Sequence, residues 1–254
     1  MGLFDKLFEK KNCAICGAEI GLMGNRKLED GNMCKDCAAK LSPWFKERKQ
    51  STVAEIEEQL EYRERNREAA ARFHVTRTIG SDNTKILFDE DARKFVVTSA
   101  RNLEEANPDV MDFSMVTGCN LDVRDRRNEE KKHDKEKGFV SYNPPRYRQY
   151  YDFFITIHVN HTYFDEMEFK INSYSLETTP TTGAPLFRIP DPETVAEYRD
   201  YVQMGEEIIA ILSEVREQAR AEAAPKAAVK CPYCGATTVP DANGCCEFCG
   251  GAMN

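Results

Sequence analysis

Eight of the ten cysteines fall into four C-x-x-C pairs, two near each end of the chain: Cys13, Cys16, Cys34 and Cys37, then Cys231, Cys234, Cys246 and Cys249. A C-x-x-C turn brings both sulfurs to one side of a single metal, and a second pair completes a tetrahedron, so the spacing predicts two zinc sites. With four thiolates per ion no position stays open for water or substrate, so the expected role is structural rather than catalytic. Cys245 abuts Cys246, but only Cys246 with Cys249 repeats the C-x-x-C-G form of the other knuckle, so Cys245 reads as a non-ligand.

The glycine after Cys16 suits a tight turn whose backbone N–H groups point at sulfur. The pair Cys34 and Cys37 opens a short helical run, where Cys37 can present its thiolate to a helix N-terminus. Knuckle, hairpin and ligand-bearing helix predict a treble-clef-like module. At the other end CPYCG and CEFCG make a compact zinc ribbon. So small a segment cannot fold on buried surface alone, so metal must supply its stability, with roughly 10 to 16 kcal/mol typical of structural sites.

Other reactive groups form no recognisable constellation. Cys119 sits within a strand-like run and reads as a buried small hydrophobe. His158 and His161, three apart on a strand, point to opposite faces and would not share a metal. His74 and His133 stand alone, and no phosphate-binding glycine loop or serine elbow occurs. The chain reads as non-enzymatic.

Composition limits partners and compartment. The formal charge is −8 over 254 residues, and two loaded tetrathiolate sites take it to about −12. That charge disfavours nucleic acid, since a local basic patch would have to supply the binding energy. The best patch, RDRRNEEKKHDKEK over 124–137, interleaves acids with bases and reads as a solvated loop. No run reaches the roughly 18 apolar residues of a membrane span, and the start lacks the apolar region of a signal peptide. Paired cysteines without disulfide context point to a reducing, cytoplasmic setting.

Periodicity supplies the elements between the tetrads. Residues 1–11 pattern as an amphipathic helix with Leu3, Phe4, Leu7 and Phe8 on one face; docking beside the cysteine module is favoured over peripheral membrane contact, and Lys6 breaks the myristoylation pattern. The tetracysteine module covers 12–50. A connector helix follows over 51–73, opened by a Thr52–Glu55 capping box, with a narrow stripe of Val53, Ile56 and Leu60 and otherwise exposed. A β-rich body spans 74–219. In it TKILFDEDARKFVVTS is a hairpin, Val110 to Val123 gives strands broken near Gly118, and YRQYYDFFITIHVNH is the longest strand, partnered by EMEFKINSYSLE. Asp191-Pro192 opens a long helix to about Ala221 with Val195, Tyr198, Val202, Ile209 and Leu212 inward. An alanine-rich linker over 220–230 leads to the ribbon at 231–254.

The fold class is therefore α+β: an antiparallel sheet or barrel with a C-terminal helix, in an order the pleckstrin-homology-like superfold also has, flanked by two zinc modules. The chain resembles an uncharacterised bacterial family whose N-terminal tetracysteine domain has no known function. The marks are CAICG, KLEDGNMCKDC with LSPWF, STVAEIEEQLEYRERN, ILFDEDARKFVV, NPDVMDF and YFDEMEFKINS. The resemblance implies a C-terminal zinc ribbon in many relatives and no activity. Fold analogy then favours an adaptor or scaffold that recognises protein partners. The alternatives are a nucleic-acid-associated ribbon protein and a lipid-binding protein at a membrane surface.

Overall fold

The computed structural model describes residues 11–21, 23–178, 191–223, 228–241 and 244–253. The amphipathic helix expected at 1–11 lies outside them except for Lys11, which pairs in a strand. The chain divides into two compact units, one ending at Arg216 and the other beginning at Glu217.

The first unit starts with two small antiparallel pairs. Strand β1 (Lys11–Asn12) pairs β2 (Glu19–Ile20), and β3 (Arg26–Lys27) pairs β4 (Asn32–Met33). Helix α1 (Lys35–Ala38) follows directly. Helix α2 (Val53–Arg72) opens on the expected capping box, Thr52 accepting from the Glu55 N–H and Glu55 accepting from the Thr52 N–H, and Phe73 ends it. Ile56 is fully buried against Leu28, Met33 and the cysteines, with Val53 and Leu60 beside it.

The rest of α2 departs from the exposed connector that its charged sequence suggested. Gln59, Arg63, Asn66 and Ala70 are buried. Arg63 pairs with Asp109 at 2.8 Å, the two side chains 7% and 0% exposed. Its guanidinium also donates to the Lys40 and Asn107 carbonyls. Asp109 accepts from Ser42 Oγ at 2.8 Å and Tyr62 Oη at 3.1 Å. Asn66 donates to the Asn107 side chain and the Pro108 carbonyl. Because a buried charge is tolerated only when every polar valence finds a partner, this network ties the cysteine module, α2 and the body together within the first compact unit.

The body contains two four-stranded antiparallel sheets. The first runs β5 (Arg77–Gly80), β6 (Lys85–Asp89), β7 (Lys94–Thr98) and β8 (Met111–Asp112) in sequence order, with the four-residue helix α3 (Leu103–Ala106) between the last two. The expected hairpin is β6–β7, turning at Glu90 to Arg93, with Phe88 opposite Phe95. In the second, β10 (Gly138–Val159) pairs β9 (Val116–Asp134) along one edge, and β11 (Glu166–Lys170) and β12 (Leu176–Glu177) along the other. Phe153, Ile155, Ile157 and Val159 alternate inward as their period requires. They join Ile86, Phe88, Phe95, Met111, Met167 and Ile171 in one core.

Helix α4 (Ala196–Ala223) covers that core with Ile208 and Leu212, both fully buried. Here Ile208 replaces the expected Ile209. The inward face steps through Tyr201, Gly205, Ile208, Leu212 and Val215, the spacing of one helical side. Asp191 and Pro192 open a 3-10 turn over Pro192–Thr194, with α4 beginning after it.

The expected break near Gly118 falls just before it: a 3-10 turn over Phe113–Met115 separates β8 from β9, and the register slips between Gly118, opposite His158, and Val116. One more expectation gives way. The charged segment 124–137 is no loop but the outer half of β9 and its turn, paired with β10 around a bulge that takes up residues 142–145. Both faces of this outer hairpin are largely solvated. Aromatic residues hold its cations instead: Arg127 lies 3.7 Å over Tyr147, Arg126 5.0 Å over Tyr150, and Arg146 4.2 Å over Tyr142.

In the second unit α4 continues through the segment expected as linker to Ala223, because alanine is the strongest helix former. Residues 224–227 lie outside those described. Strand β13 (Val229–Lys230) then pairs β14 (Thr237–Thr238).

Removing one partner of the buried pair should cost about 3–5 kcal/mol. Arg63→Ala should therefore lower the denaturant midpoint of the first unit steeply, measured by tryptophan fluorescence of Trp44. A loss below about 1 kcal/mol, the range of an exposed pair, would show that the network is dispensable.

Candidate metal centres

Three of the four C-x-x-C turns share one backbone solution. After Cys13, Cys231 and Cys246, the glycine following the second cysteine adopts positive φ, at 74°, 75° and 70° for Gly17, Gly235 and Gly250. Its N–H donates to the carbonyl of the first cysteine at 2.8, 3.0 and 2.8 Å. The N–H of that first cysteine donates to the residue five ahead, Ala18, Ala236 or Gly251. A side chain would strain this left-handed position, which is why glycine stands there.

The remaining pair is built differently. Cys34 is the N-cap of α1, its sulfur accepting from the Cys37 N–H at 3.3 Å. So Cys34, rather than the expected Cys37, sits at the helix N-terminus, and Cys37 lies within the turn. The Cys34 N–H in turn donates to Cys13 Sγ at 3.2 Å, linking the two pairs.

The structure brings together both predicted sets. The sulfurs of Cys13, Cys16, Cys34 and Cys37 lie within 4.8 Å of one another, as do those of Cys231, Cys234, Cys246 and Cys249. Tetrahedral coordination with bonds of about 2.3 Å places sulfurs about 3.8 Å apart. The observed separations are 3.8 Å for Cys16 to Cys34, 3.6 Å for Cys231 to Cys249 and 3.7 Å for Cys234 to Cys246. Both groups could therefore hold a metal ion, and all-thiolate tetrahedra of this size are consistent with zinc.

Without a cation four thiols cannot all ionise. Against the upward push of burial, N–H groups of Cys34, Cys16 and Ile15 bring Cys13 down to about 6. The Cys234 N–H, opposed by burial and helped by the Tyr233 N–H, brings Cys231 down to about 6. Burial and hydrogen bonds to the other three thiols push Cys37 up. At Cys249 the Gly251 N–H favours the thiolate, but contacts with the neighbouring thiols and burial outweigh it and push the group up to about 12. A divalent ion bonded to all four sulfurs relieves this competition, offsetting two of the four charges and leaving the site at about −2.

The two sites have unlike surroundings. The first packs into an apolar cluster with Ile20, Leu28, Met33, Leu41 and Ile56. Among the described residues, the second has Met253 as the one apolar side chain buried with Cys231 and Cys246. Cys245 lies outside the converging sulfurs, its N–H held by Asp241 Oδ1 at 2.8 Å.

The other singled-out residues are dispersed. Cys119 is half-buried against the body core, and burial pushes its thiol up to about 12, leaving it a poor nucleophile. His158 bonds Asn120, His161 stacks on Phe164 at 4.2 Å, and His133 meets Phe139 edge-on. The His74 N–H donates to Asp89.

Residues 11–59 match a family described as "Domain of unknown function (DUF4428)", a span that holds the first tetrad and the opening turns of α2. No curated protein matches the chain. No solved structure matches it either. Among the described residues no helix is long and apolar enough to cross a membrane.

Metal analysis of reduced protein should return two ions per chain, falling to one in a Cys231→Ser/Cys234→Ser variant. A value near zero, or no change in the variant, would contradict the assignment.

Proposed function

We propose that the chain is a non-enzymatic, cytoplasmic adaptor in which two structural zinc ions hold recognition surfaces for protein partners. The first site reads as a treble clef, with knuckle, hairpin and the helix-borne ligand Cys37. The second reads as a zinc ribbon. The body has the sheet, sheet and C-terminal helix order of a pleckstrin-homology-like fold. With four sulfur ligands each, the ions have no open position for substrate, which supports a structural role.

One observation carries the reading. The residue before the second cysteine of each C-terminal knuckle is a large aromatic directed outward: Tyr233 is 72% and Phe248 68% exposed. The Tyr233 ring lies against Gly251, where a Cβ would come within 2.5 Å of its Cδ2. Two equivalent turns thus display paired apolar groups on a metal-dependent frame. Exposed aromatics of this kind anchor interfaces, because they bury much area with few rotatable bonds.

Nucleic-acid association, the alternative, has one observation in its favour, the cations and aromatics of the β9–β10 hairpin. Two of those cations are ion-paired within the protein. Arg148 is bound by Glu130 and Glu177, and Arg124 by Asp122 and Glu168. The formal charge of −8 works against counterion release from the rest.

A Tyr233→Ala/Phe248→Ala variant should keep two metal ions and lose the proteins that the full chain captures from extract, whether or not nuclease is present. Undiminished capture would remove the C-terminal module as the recognition surface; capture abolished by nuclease would favour nucleic acid.

A further inference from the structure

A groove of about 510 Å³ opens on the first unit, where the chain after α1, the first turns of α2 and the β10–β11 loop come together. Its walls are aromatic. Phe45 and Tyr163 meet edge to face at 6.4 Å, and Tyr163 continues to Tyr62 at 5.3 Å and His161 at 5.8 Å. Burial pushes the His161 imidazole down, so at neutral pH it brings no positive charge.

The rim has one sign. Glu47, Glu55, Glu58, Asp165 and Glu166 line it against a single cation, Lys46, which Glu166 already binds at 2.5 Å. Glu55 is engaged in the cap of α2. Glu47, Glu58 and Asp165 make no ion pair among the described residues. Aromatic faces beneath a surplus of carboxylates attract cations twice over, through the ring quadrupole and through charge, and they repel phosphates and carboxylates. A groove of this volume takes side chains of a peptide, within the range of ordinary ligand sites.

We propose that this groove binds a basic segment of a protein partner, seating an arginine or lysine side chain between the aromatic wall and the carboxylates of Glu58 and Asp165. It rests on the protein-recognition reading but uses a surface other than Tyr233 and Phe248, so each can fail without the other. The arrangement selects against acidic peptides and nucleic acid, and it weakens with added salt because its charges face solvent.

The test is fluorescence anisotropy of full-length, metal-loaded protein with a labelled peptide of alternating arginine and glycine, beside its glutamate counterpart. Glu58→Gln/Asp165→Asn leaves both the helix cap and the Lys46–Glu166 pair intact. Saturable binding of the arginine peptide alone is expected, weakened about tenfold in that variant. A Glu104→Gln/Glu105→Gln control on α3, with the same charge change, and the Cys231→Ser/Cys234→Ser variant should bind as the unaltered protein does. Four results would each overturn the proposal: no saturable binding, equal binding of the glutamate peptide, full affinity in Glu58→Gln/Asp165→Asn, or an equal loss in either control.

Discussion

The buried pair of Arg63 and Asp109 constrains most of the first unit. Removing two charges from water costs several kcal/mol each unless protein groups replace the solvent shell. Here the replacements come from three parts of the chain: Lys40 and Ser42 after the first tetrad, Tyr62 on α2, and Asn107 before β8, itself held by Asn66. Asn107 can aim both its carbonyl and its side chain at α2 because it adopts φ 47°, a conformation asparagine tolerates better than most residues. Burial pushes the Tyr62 phenol up, so it remains a donor to the carboxylate. Displacing any of these parts strands a charge, and two of them, the chain after α1 and helix α2, also bound the aromatic groove.

The two tetrads then divide their work by surroundings rather than by chemistry. The first closes an apolar cluster that includes Ile56 of α2, so its cysteines are part of a core that also has other support. Among its described residues the second has a small core, and its backbone turns and sulfurs make up most of their organisation. An ion bound there would supply most of such a module's folding free energy. Metal loss should thus be felt locally at the C-terminus and more diffusely in the first unit.

What could be read in the sequence was whatever is local. Each glycine-terminated knuckle, the Thr52–Glu55 cap and the β6–β7 hairpin are specified within a few residues, and the structure has them where spacing placed them. Arg63 and Asn66 were hidden because most of their partners lie more than 40 residues away and a charged helix face looks solvated. The outer β9–β10 hairpin was hidden for a related reason. A two-stranded ribbon wet on both faces shows no apolar alternation, and its stacking of arginine on tyrosine appears only once register is known. Ile208 against Ile209 is a phase error of one residue, beyond what periodicity resolves in a helix with apolar neighbours on both sides.

The central claim is that both metals sit in closed, all-sulfur shells and hold structure. X-ray absorption at the zinc edge tests it most directly. Four sulfurs per zinc at about 2.3 Å with no nitrogen or oxygen scatterer is the predicted result. A shell containing a light-atom ligand would mean an open or differently built site, and would contradict both the tetrad assignment and the structural role drawn from it.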